Sequence, residues 1–340
     1  MAKYLIGMDV GGTKTECVLF SLLEKGQSPA GLECLNLALP NGGNATAAIL
    51  VRERIPTQRT LPYPTLVEHL RDLIELVLKK GNIKLEDTLG IGIGLPGTID
   101  PATQIMLNGN TKVFIGQNLA QDLARALKAS PKICIENDAN LFALAEVLGG
   151  AGKRYTQETS IPGAEQIGIG IILGTGVGGG IIVRSQIVQG RHGGGGEIGH
   201  TNLVNHGYPC YCGKAGCAEQ YLSGPGIEAA FHQRLYSQIE KRPNAREIFD
   251  LAMQKEPLAV AIVEQYKQYL TAFLAKLSNI FDPDYFVFGG GLSKQDLIYQ
   301  GLEEALGQAT YVPQTKPRIY KHLLGDSAGV VGAAMLLLIR

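Results

Sequence analysis

The stretch LIGMDVGGTKTECVLF at residues 5–20 contains a glycine turn between two apolar runs, and IGIGIILGTGVGGGIIV at residues 167–183 repeats this arrangement. The apolar runs are short and bounded by glycine, so each stretch predicts two strands joined by a tight turn. A glycine turn lets a ligand approach the backbone closely, and its successive N–H groups form a concave site for anions. Two such hairpins in one chain predict two related lobes that bind one polyphosphate, which indicates a nucleotide-using enzyme.

Two further glycine patterns, at residues 92–97 and 174–179, match the dinucleotide-binding sequence GxGxxG. That sequence marks a dinucleotide site only where a strand precedes it and a helix begins from it. Here residues 180–183 (GIIV) predict a strand and residues 98–101 (TIDP) predict a turn. The sequence therefore argues against a nicotinamide or flavin enzyme. It also contains no GxxxxGK[ST] motif.

The composition is that of an ordinary globular protein without a preference for charged partners. The chain has 340 residues, of which 45% are hydrophobic and 18% charged, and its formal net charge is zero. This length allows two domains that share a cleft, and the balanced charge favours neither nucleic acid nor an anionic membrane. The N-terminal apolar stretch is interrupted at Asp9, and the run at residues 328–339 is too short to span a bilayer. We therefore predict a cytoplasmic protein with reduced thiols and no membrane partner.

Strand and helix patterns alternate along the chain, which predicts an α/β architecture. The patterns predict helices at residues 65–80, 119–127, 139–148 and 258–281, strands at residues 89–95, 132–135 and 285–288, and a polar loop or linker at residues 149–166. In the first helix an apolar stripe defines the buried face, and Gly81 is placed to end it. Ligands of such sheets collect at the carboxyl ends of the strands, where Asp9, Gly97, Asn137, Gly174 and Gly289 are expected.

The cysteine cluster is the most specific chemical signal in the sequence. Cys210, Cys212 and Cys217 lie within eight residues, interrupted by glycines. With one imidazole they would form a closed, structural Cys₃His site, for which zinc is the usual ion. The alternatives are a disulfide with spare cysteines, or buried thiols. Spacing leaves the histidine ambiguous between His200 and His206, and slightly favours His206 because it precedes Cys210 by only four residues.

Several acidic and basic residues have both a chemical and a purely structural interpretation. Asp138 could accept a proton from a substrate hydroxyl, or it could be the N-cap of the following helix. Glu197 and Glu219 could accept hydrogen bonds from sugar hydroxyls, or they could be solvated loop charges. Asp9 could orient a hydrated Mg²⁺ or start a turn. Lys14 could contact phosphate or be a solvated hairpin residue.

Together the motifs resemble the ROK family of bacterial sugar kinases and sugar-responsive repressors, and the match covers nearly the whole chain. The matching segments are DVGGTK (9–14), GLPG (94–97), ENDAN (136–140), GTGVGGG (174–180), GEIGH (196–200), CYCGKAGCAE (210–219), SG (223–224) and GGG (289–291). The cysteine motif, which follows both hairpins, is highly specific, whereas the loop motifs taken singly are not.

The resemblance implies an actin-like (ribonuclease H-like), two-lobed α/β ATPase fold with a structural zinc knuckle. Residues 1–121 would form a small lobe on which the C-terminal helix, 326–340, packs back. Residues 122–325 would form a large lobe that carries the zinc knuckle. A homodimer is the state that the family suggests.

The family also implies a role for each matching residue. Asp138 would be the catalytic base, and His200 would complete the zinc site, which resolves the ambiguity left by spacing. The other implied sugar contacts are Gly97, Asn110, Thr111, Asn137, Glu197, His200 and Glu219. The implied nucleotide contacts are Gly11, Gly12, Thr13, Lys14, Gly174, Thr175, Gly176, Gly289, Gly290 and Gly291. Zinc would be bound by His200, Cys210, Cys212 and Cys217, while Asp9 would hold the Mg²⁺ of ATP through water.

The implied reaction is transfer of the γ-phosphoryl group of ATP to a sugar hydroxyl, usually O6 of a hexose. Residues 108–111, the CYCGK segment and residues 325–329 look most like the fructokinase/mannokinase branch, so we expect fructose, mannose or glucose as substrate. The alternative is an N-acetylglucosamine or another N-acetylhexosamine, and a remote alternative is a non-catalytic sugar-sensing regulator. Because the first predicted strand begins near Tyr4, we expect no DNA-binding segment before it.

Overall fold

The computed structural model describes residues 4–23, 29, 31–39, 42–109, 111–234, 242–312 and 317–340. Within this part of the chain, strands and helices alternate as the sequence predicted. The strands are β1 (Tyr4–Val10), β2 (Lys14–Leu23), β3 (Cys34–Ala38), β4 (Asn44–Pro56), β5 (Thr88–Leu95), β6 (Gly97–Ile99), β7 (Met106–Gly109), β8 (Ile133–Asn137), β9 (Ile167–Leu173), β10 (Val177–Val183), β11 (Gln186–Ile187), β12 (Tyr285–Gly289) and β13 (Arg318–Lys321).

The helices differ from the sequence prediction mainly at one place. They are α1 (Tyr63–Gly81), α2 (Leu119–Ala126), α3 (Asp138–Gly149), α4 (Ala151–Thr159), α5 (Glu219–Leu222), α6 (Gly224–His232), α7 (Ala245–Met253), α8 (Pro257–Phe281), α9 (Leu302–Ala309) and α10 (Ala328–Ile339). The predicted loop at residues 149–166 is wrong, because α4 lies within it. Its Tyr155 is buried, so a mostly polar segment still has one face to pack. Helix α1 ends at Gly81 as predicted, but the left-handed residue that follows the helix is Asn82, with φ of 52°.

The first sheet has the strand order β3-β4-β2-β1-β5-β8. β1 and β2 pair antiparallel from Tyr4–Ser21 to Val10–Thr15, which is the first predicted hairpin. β1 runs parallel to β5, and β5 runs parallel to β8. The carboxyl ends of these three strands therefore meet at one edge, where Asp9 lies beside Gly94 and Leu95 beside Asn137.

The second sheet has the order β11-β10-β9-β12-β13, and β6 pairs with β7 as a separate two-stranded ribbon. β12 runs parallel to both of its neighbours, β9 and β13. Gly289, at the end of β12, pairs with Ile172 near the end of β9. The second glycine turn and the glycine triplet at residues 289–291 thus lie at the same edge of this sheet, as predicted for strand ends.

Helix α10 packs closely on β1, β5 and α3. A Cβ atom at Gly92 would lie 1.7 Å from the carbonyl oxygen of Ala333, and one at Gly7 would lie 2.2 Å from that of Val330. Neither position can hold a side chain without moving the helix away from the sheet. Glycines in the strands and small residues in α10, such as Ala333, therefore allow the backbones of sheet and helix to pack closely.

The chain divides into two compact units according to its internal contacts. Unit 1 comprises Met1–Gln166, Gly180–Gly195 and Leu323–Arg340, and unit 2 comprises Ile167–Gly179 and Gly196–His322. The core of unit 1 lies between the first sheet and the apolar faces of α1 and α2, with side chains such as Ile74, Ile93 and Leu123 fully buried. The division into a small and a large lobe after residue 121 stays a prediction. The compact units divide the chain at other positions, because residues 122–166 belong to unit 1 together with the residues before them. Among the described residues, no helix is both long and apolar enough to cross a membrane.

Candidate functional site

Asn137 and Asp138 lie where β8 ends and α3 begins, in unit 1. The N-cap of α3 is Asn137, whose side-chain oxygen accepts hydrogen bonds from the backbone N–H groups of Ala139 (2.9 Å) and Asn140 (3.2 Å). The alternative that Asp138 is the cap residue is therefore wrong. The Nδ2 of Asn137 also donates to the carbonyl oxygen of Gly97 at 3.0 Å. These bonds fix the strand-to-helix turn from both sides, and Asp138 is the first residue of the helix.

The first glycine turn is held by a residue outside the predicted motif. The N–H of Gly11 donates to the carbonyl oxygen of Lys14 at 3.0 Å, which closes the turn. Thr57, directly after β4, donates its hydroxyl to the carbonyl oxygen of Gly11 at 2.7 Å. Its backbone N–H donates to the carbonyl oxygen of Thr13 at 3.0 Å. The turn is thus fixed in shape, while Thr13 and Lys14 are exposed.

Asp9 has an environment that resists its ionisation. Burial raises its pKa to about 6, and the negative charge of Glu16, its cross-strand neighbour, acts in the same direction, opposed by Lys14. The carboxylate faces α10 so closely that a Cβ atom at Gly329 would lie 2.6 Å from its Oδ2. A nearby cation would favour the ionised form, which suits the predicted position of Asp9 beside magnesium.

The predicted sugar-contacting loop is described in part. Gly97 lies in β6, where a Cβ atom would be 2.2 Å from the carbonyl oxygen of Asn108 in β7. Only glycine fits this close approach of the two strands. Thr111 is buried, and its carbonyl oxygen accepts from the N–H of Phe114 at 3.1 Å. Asn110 lies outside the described residues.

In unit 2 the second glycine turn borders a pocket of about 880 Å³. The Gly174 N–H donates to the carbonyl oxygen of Gly176 at 3.0 Å, and the Gly174 carbonyl accepts from the N–H of Gly224 at 2.7 Å. The pocket is also lined by Thr175 and Gly291, both of which the sequence predicted, and it extends to residues that the sequence analysis missed. These further lining residues include Glu228, Asn244, Arg246, Met253 and Lys294.

Glu219 is buried against the same turn. Its Oε2 accepts from the N–H of Val177 at 2.9 Å, and a Cβ atom at Gly176 would lie 2.5 Å from that oxygen. Glu219 also begins α5, two residues after Cys217. It therefore connects the glycine turn of unit 2 with the cysteine segment. Glu197 is exposed, and its carbonyl oxygen accepts from the N–H of His200 at 3.1 Å.

Four potential metal ligands converge in unit 2. His200, Cys210, Cys212 and Cys217 each offer one ligand atom, and these atoms all lie within 4.8 Å of one another. The Sγ atoms of Cys212 and Cys217 are 3.6 Å apart, and Nδ1 of His200 is 3.7 Å from Sγ of Cys210. Ligands at ordinary zinc bond lengths in a tetrahedron are separated by about 3.4–3.8 Å. The donor set and its spacing thus fit a tetrahedral ion.

The backbone of the cysteine segment explains how these side chains come together. The N–H of Ala218 donates to the carbonyl oxygen of Thr201 at 2.9 Å, which places Cys217 beside His200. Gly216 has φ of 78°, and a Cβ atom there would lie 1.8 Å from the carbonyl oxygen of Val204. Only glycine can make this turn. The interpretation from spacing alone was wrong in favouring His206, because the bonds that close the loop bring His200 to the cysteines.

The second nitrogen of His200 faces an aromatic side chain. Its Nε2 lies 3.1 Å from the hydroxyl of Tyr211, and the two rings meet edge to face with centroids 5.3 Å apart. Tyr211 is 74% exposed. It stands between two of the cysteines in sequence, which was the signal available, although no pattern rule assigns a role to that position.

Comparisons with known proteins find relatives that match nearly the whole chain. The model of the family described as "ROK family" matches residues 36–339. The N-acetyl-D-glucosamine kinase of Yersinia pseudotuberculosis serotype O:1b is 34% identical over 342 residues, which cover 97% of each chain. The ROK hexokinase of Thermus thermophilus has a TM-score of 0.75 and 26% identity over 98% of this chain and 97% of that one. A ROK glucokinase of Streptomyces griseus, solved with glucose and AMPPNP, has a TM-score of 0.69 and 26% identity over 98% of each chain.

Proposed function

We propose that this chain, which belongs to the ROK family and is a sugar kinase, transfers the γ-phosphoryl group of ATP to N-acetyl-D-glucosamine. The observation that carries the choice of sugar is the 34% identity, over 97% of the chain, to an N-acetyl-D-glucosamine kinase. The sequence motifs had favoured fructose, mannose or glucose, with N-acetylhexosamines as the alternative. The relatives support that alternative better.

We assign the role of catalytic base to Asp138, acting on the sugar hydroxyl that attacks the phosphorus, which the family pattern places at O6. Phosphoryl transfer needs little covalent chemistry from the protein, because positioning and charge stabilisation supply most of the acceleration. The support for this role is local. Asn137 caps α3 and is fastened to Gly97, so Asp138 is held at the start of the helix while another residue does the capping.

The nucleotide is assigned to the two glycine turns and the glycine triplet. In unit 2 the pocket of about 880 Å³ beside Gly174, Thr175 and Gly291 is within the range of ordinary ligand sites, about 300–1,000 Å³. In unit 1 the turn at Gly11 and Gly12 would meet phosphate through its backbone N–H groups. Magnesium would accompany ATP and neutralise charge on the phosphates, with Asp9 as its acceptor through water.

We further propose that the ion at the cysteine cluster is zinc, bound through Nδ1 of His200 and the thiolates of Cys210, Cys212 and Cys217. Zinc suits one imidazole and three thiolates in a closed tetrahedral site. When bound it would fix the imidazole ring and leave Nε2 available to a sugar hydroxyl. A structural ion would thereby set the orientation of a substrate contact.

The substrate assignment is tested by a coupled ADP-release assay on a panel of N-acetyl-D-glucosamine, N-acetyl-D-mannosamine, glucose, mannose and fructose. We expect kcat/KM to be highest for N-acetyl-D-glucosamine, by about tenfold or more over the neutral hexoses, since buried polar groups that bind an acetamide reject sugars lacking it. A higher kcat/KM for glucose, mannose or fructose would overturn the assignment.

The base assignment is tested by Asp138→Asn, which keeps the shape of the side chain and removes the proton acceptor. Loss of a general base is expected to lower kcat by about 10²- to 10⁴-fold. The matched control is Asp87→Asn, an exposed aspartate of unit 1, which should retain wild-type kcat. Activity of Asp138→Asn within threefold of wild type would refute the role.

A further inference from the structure

We propose that Glu136 is a positioning residue for phosphoryl transfer, which sets the orientation of the Asn137–Asp138 turn through a buried network that includes Arg340 and Gln189. This inference rests on the proposed role of Asp138. Glu136 precedes the turn directly, and its side chain is only 4% exposed. All of the residues in the network belong to unit 1.

The two carboxylate oxygens of Glu136 bind different parts of unit 1. Oε1 accepts from the backbone N–H of Asn137 at 2.9 Å and from Nδ2 of Asn140 at 3.0 Å. It therefore bridges the last residue of β8 and the first turn of α3, on either side of Asp138. Because both donors share one acceptor, the direction in which the helix leaves the strand depends on where that oxygen is held.

The other oxygen holds the carboxylate in place through residues distant in sequence. Oε2 accepts from Nη2 of Arg340 at 2.6 Å and also from Nε2 of Gln189. Arg340 is itself fastened to β8, because its Nη1 donates to the carbonyl oxygen of Ile135 at 3.2 Å. A buried carboxylate without a charge partner is strongly destabilised, so the ion pair with Arg340 stabilises the Glu136 side chain in this position.

Gln189 extends the network to a second segment. Its carbonyl oxygen accepts from the N–H of Gly195 at 2.8 Å, which closes a glycine-rich loop at residues 190–195. Two residues after Gly195 the chain reaches Glu197, one of the proposed sugar contacts. A single carboxylate thus holds the strand end before the proposed base and the start of the loop that leads to a proposed sugar ligand.

The network predicts a specific consequence for Glu136→Gln. If the amide oxygen faces Asn137 and Asn140, the NH₂ group lies against the donors of Arg340 and Gln189; if the oxygen faces Arg340, the NH₂ group lies against the N–H donors of Asn137 and Asn140. The turn then shifts, and a misplacement of about 1 Å can lower a reaction rate by about 100-fold. We expect kcat to fall about 10- to 100-fold while KM for ATP changes less than twofold, because the nucleotide contacts are untouched.

The test measures kcat, KM for ATP and KM for N-acetyl-D-glucosamine on folded protein, with melting temperature recorded in parallel. The control is Glu53→Gln, which breaks another ion pair of unit 1, to Lys80 at 2.6 Å, far from β8 in sequence. It should leave kcat unchanged. A merely structural role of Glu136 would lower the melting temperature and leave kcat of the folded fraction at the wild-type value, which would overturn the inference.

If Glu136→Gln does not fold, Arg340→Met decides the question, because it removes the charge partner of Glu136 by changing Arg340, whose own side chain is 25% exposed. A kcat reduced about 3- to 10-fold, with KM for ATP unchanged, supports the network, and an unchanged kcat overturns it. Failure of the proposed function is distinguishable: it would show as a wild-type protein inactive on the sugar panel, or as an active Asp138→Asn. Wild-type activity lost in Asp138→Asn but retained in both network variants would refute only this inference.

Discussion

The cysteine segment of unit 2 and the ends of α3 in unit 1 hold functional side chains by different means. In the cysteine segment the four ligands come from residues 200–217, with little regular structure between them. Near α3 the buried carboxylates of Glu136 and Glu146 bind partners 204 and 178 residues away, at Arg340 and Leu324. Order in the first region would depend on local turns and on the proposed ion, whereas order in the second depends on contacts between residues distant in sequence. The two regions should therefore fail in different ways.

Removal of one metal ligand should give the largest effect. Cys217→Ser removes one ligand of the proposed zinc site, and a structural zinc ion supplies folding energy to the segment that binds it. We expect zinc to fall from about one per chain to below about 0.1, and phosphoryl transfer to be lost. Elemental analysis and the ADP-release assay measure the two quantities. Cys34→Ser, in β3, is the control and should keep both.

Loss of zinc with full activity retained in Cys217→Ser would mean that backbone hydrogen bonds alone order the cysteine segment. The contrast between the two regions would then disappear. Chelation of the wild-type protein gives a second reading, because the loss of activity should be reversed when zinc is added back.

Loss of the Glu146 carboxylate should come next. Its oxygens accept from the N–H groups of Leu324 (2.8 Å), Leu323 (3.0 Å) and Ala151 (3.2 Å). Glu146→Ala leaves these donors without their partner, at about 1–3 kcal/mol for each buried group that water does not reach. We expect the free energy of unfolding to fall by about 3 kcal/mol or more, as measured by urea denaturation.

The control for this variant is Glu158→Ala, on the exposed face of α4, where the glutamate pairs with Arg154 at 2.8 Å. A surface pair of this kind contributes about 0–1 kcal/mol. Equal destabilisation by the two substitutions would show that burial of Glu146 adds nothing. Zinc content should remain that of the wild type in both variants, which separates this failure from that of the cysteine segment.

The smallest effect is expected at Tyr211. Its hydroxyl lies 3.1 Å from Nε2 of His200, the nitrogen that we assign to the sugar, so a sugar hydroxyl must displace it. A typical hydrogen bond contributes about 1 kcal/mol, or about fivefold in an equilibrium constant. Tyr211→Phe should therefore lower KM for the sugar by up to about fivefold with kcat unchanged. Initial-rate measurements at saturating ATP test this.

Tyr208→Phe is the matched control, because that hydroxyl contacts Gln233 at 2.7 Å and not the histidine. Its KM for the sugar should equal that of the wild type. A KM for the sugar that rises in Tyr211→Phe would contradict this prediction. It would mean that the tyrosine hydroxyl binds the sugar itself and does not compete with it for Nε2 of His200.

The features that the sequence predicted correctly are those whose causes lie within a few residues. The two glycine hairpins, the apolar stripe of α1 and the cluster of three cysteines each follow from local spacing. The α/β alternation could be predicted because each strand and helix has its own periodicity. Even the start of α3 was placed within one residue, since Asn137 and Asp138 are both good residues for a helix start.

What the sequence did not reveal depends on contacts made across the fold. The sequence of α4 is mostly polar, so no apolar pattern predicted a helix there. The backbone N–H of its first residue, Ala151, donates to the carboxylate of Glu146 in the preceding helix. The choice of His200 over His206 depends on backbone bonds that close the cysteine segment. The pairing of Glu136 with Arg340 joins residues 204 positions apart, for which a single sequence carries no signal. Choosing the sugar needed relatives, because an acetamide pocket has no motif of its own.

The close packing of α10 on β1 and β5 also has a consequence while the chain is being translated. The helix is translated after every strand of the sheet that it covers, and unit 1 is completed only by residues 323–340. Until those residues leave the ribosome, the apolar sheet face that contains Gly7 and Gly92 is not covered by α10. Nascent chains with such a face aggregate readily, so slow elongation or truncation within the codons for residues 323–340 should divert the product to chaperones.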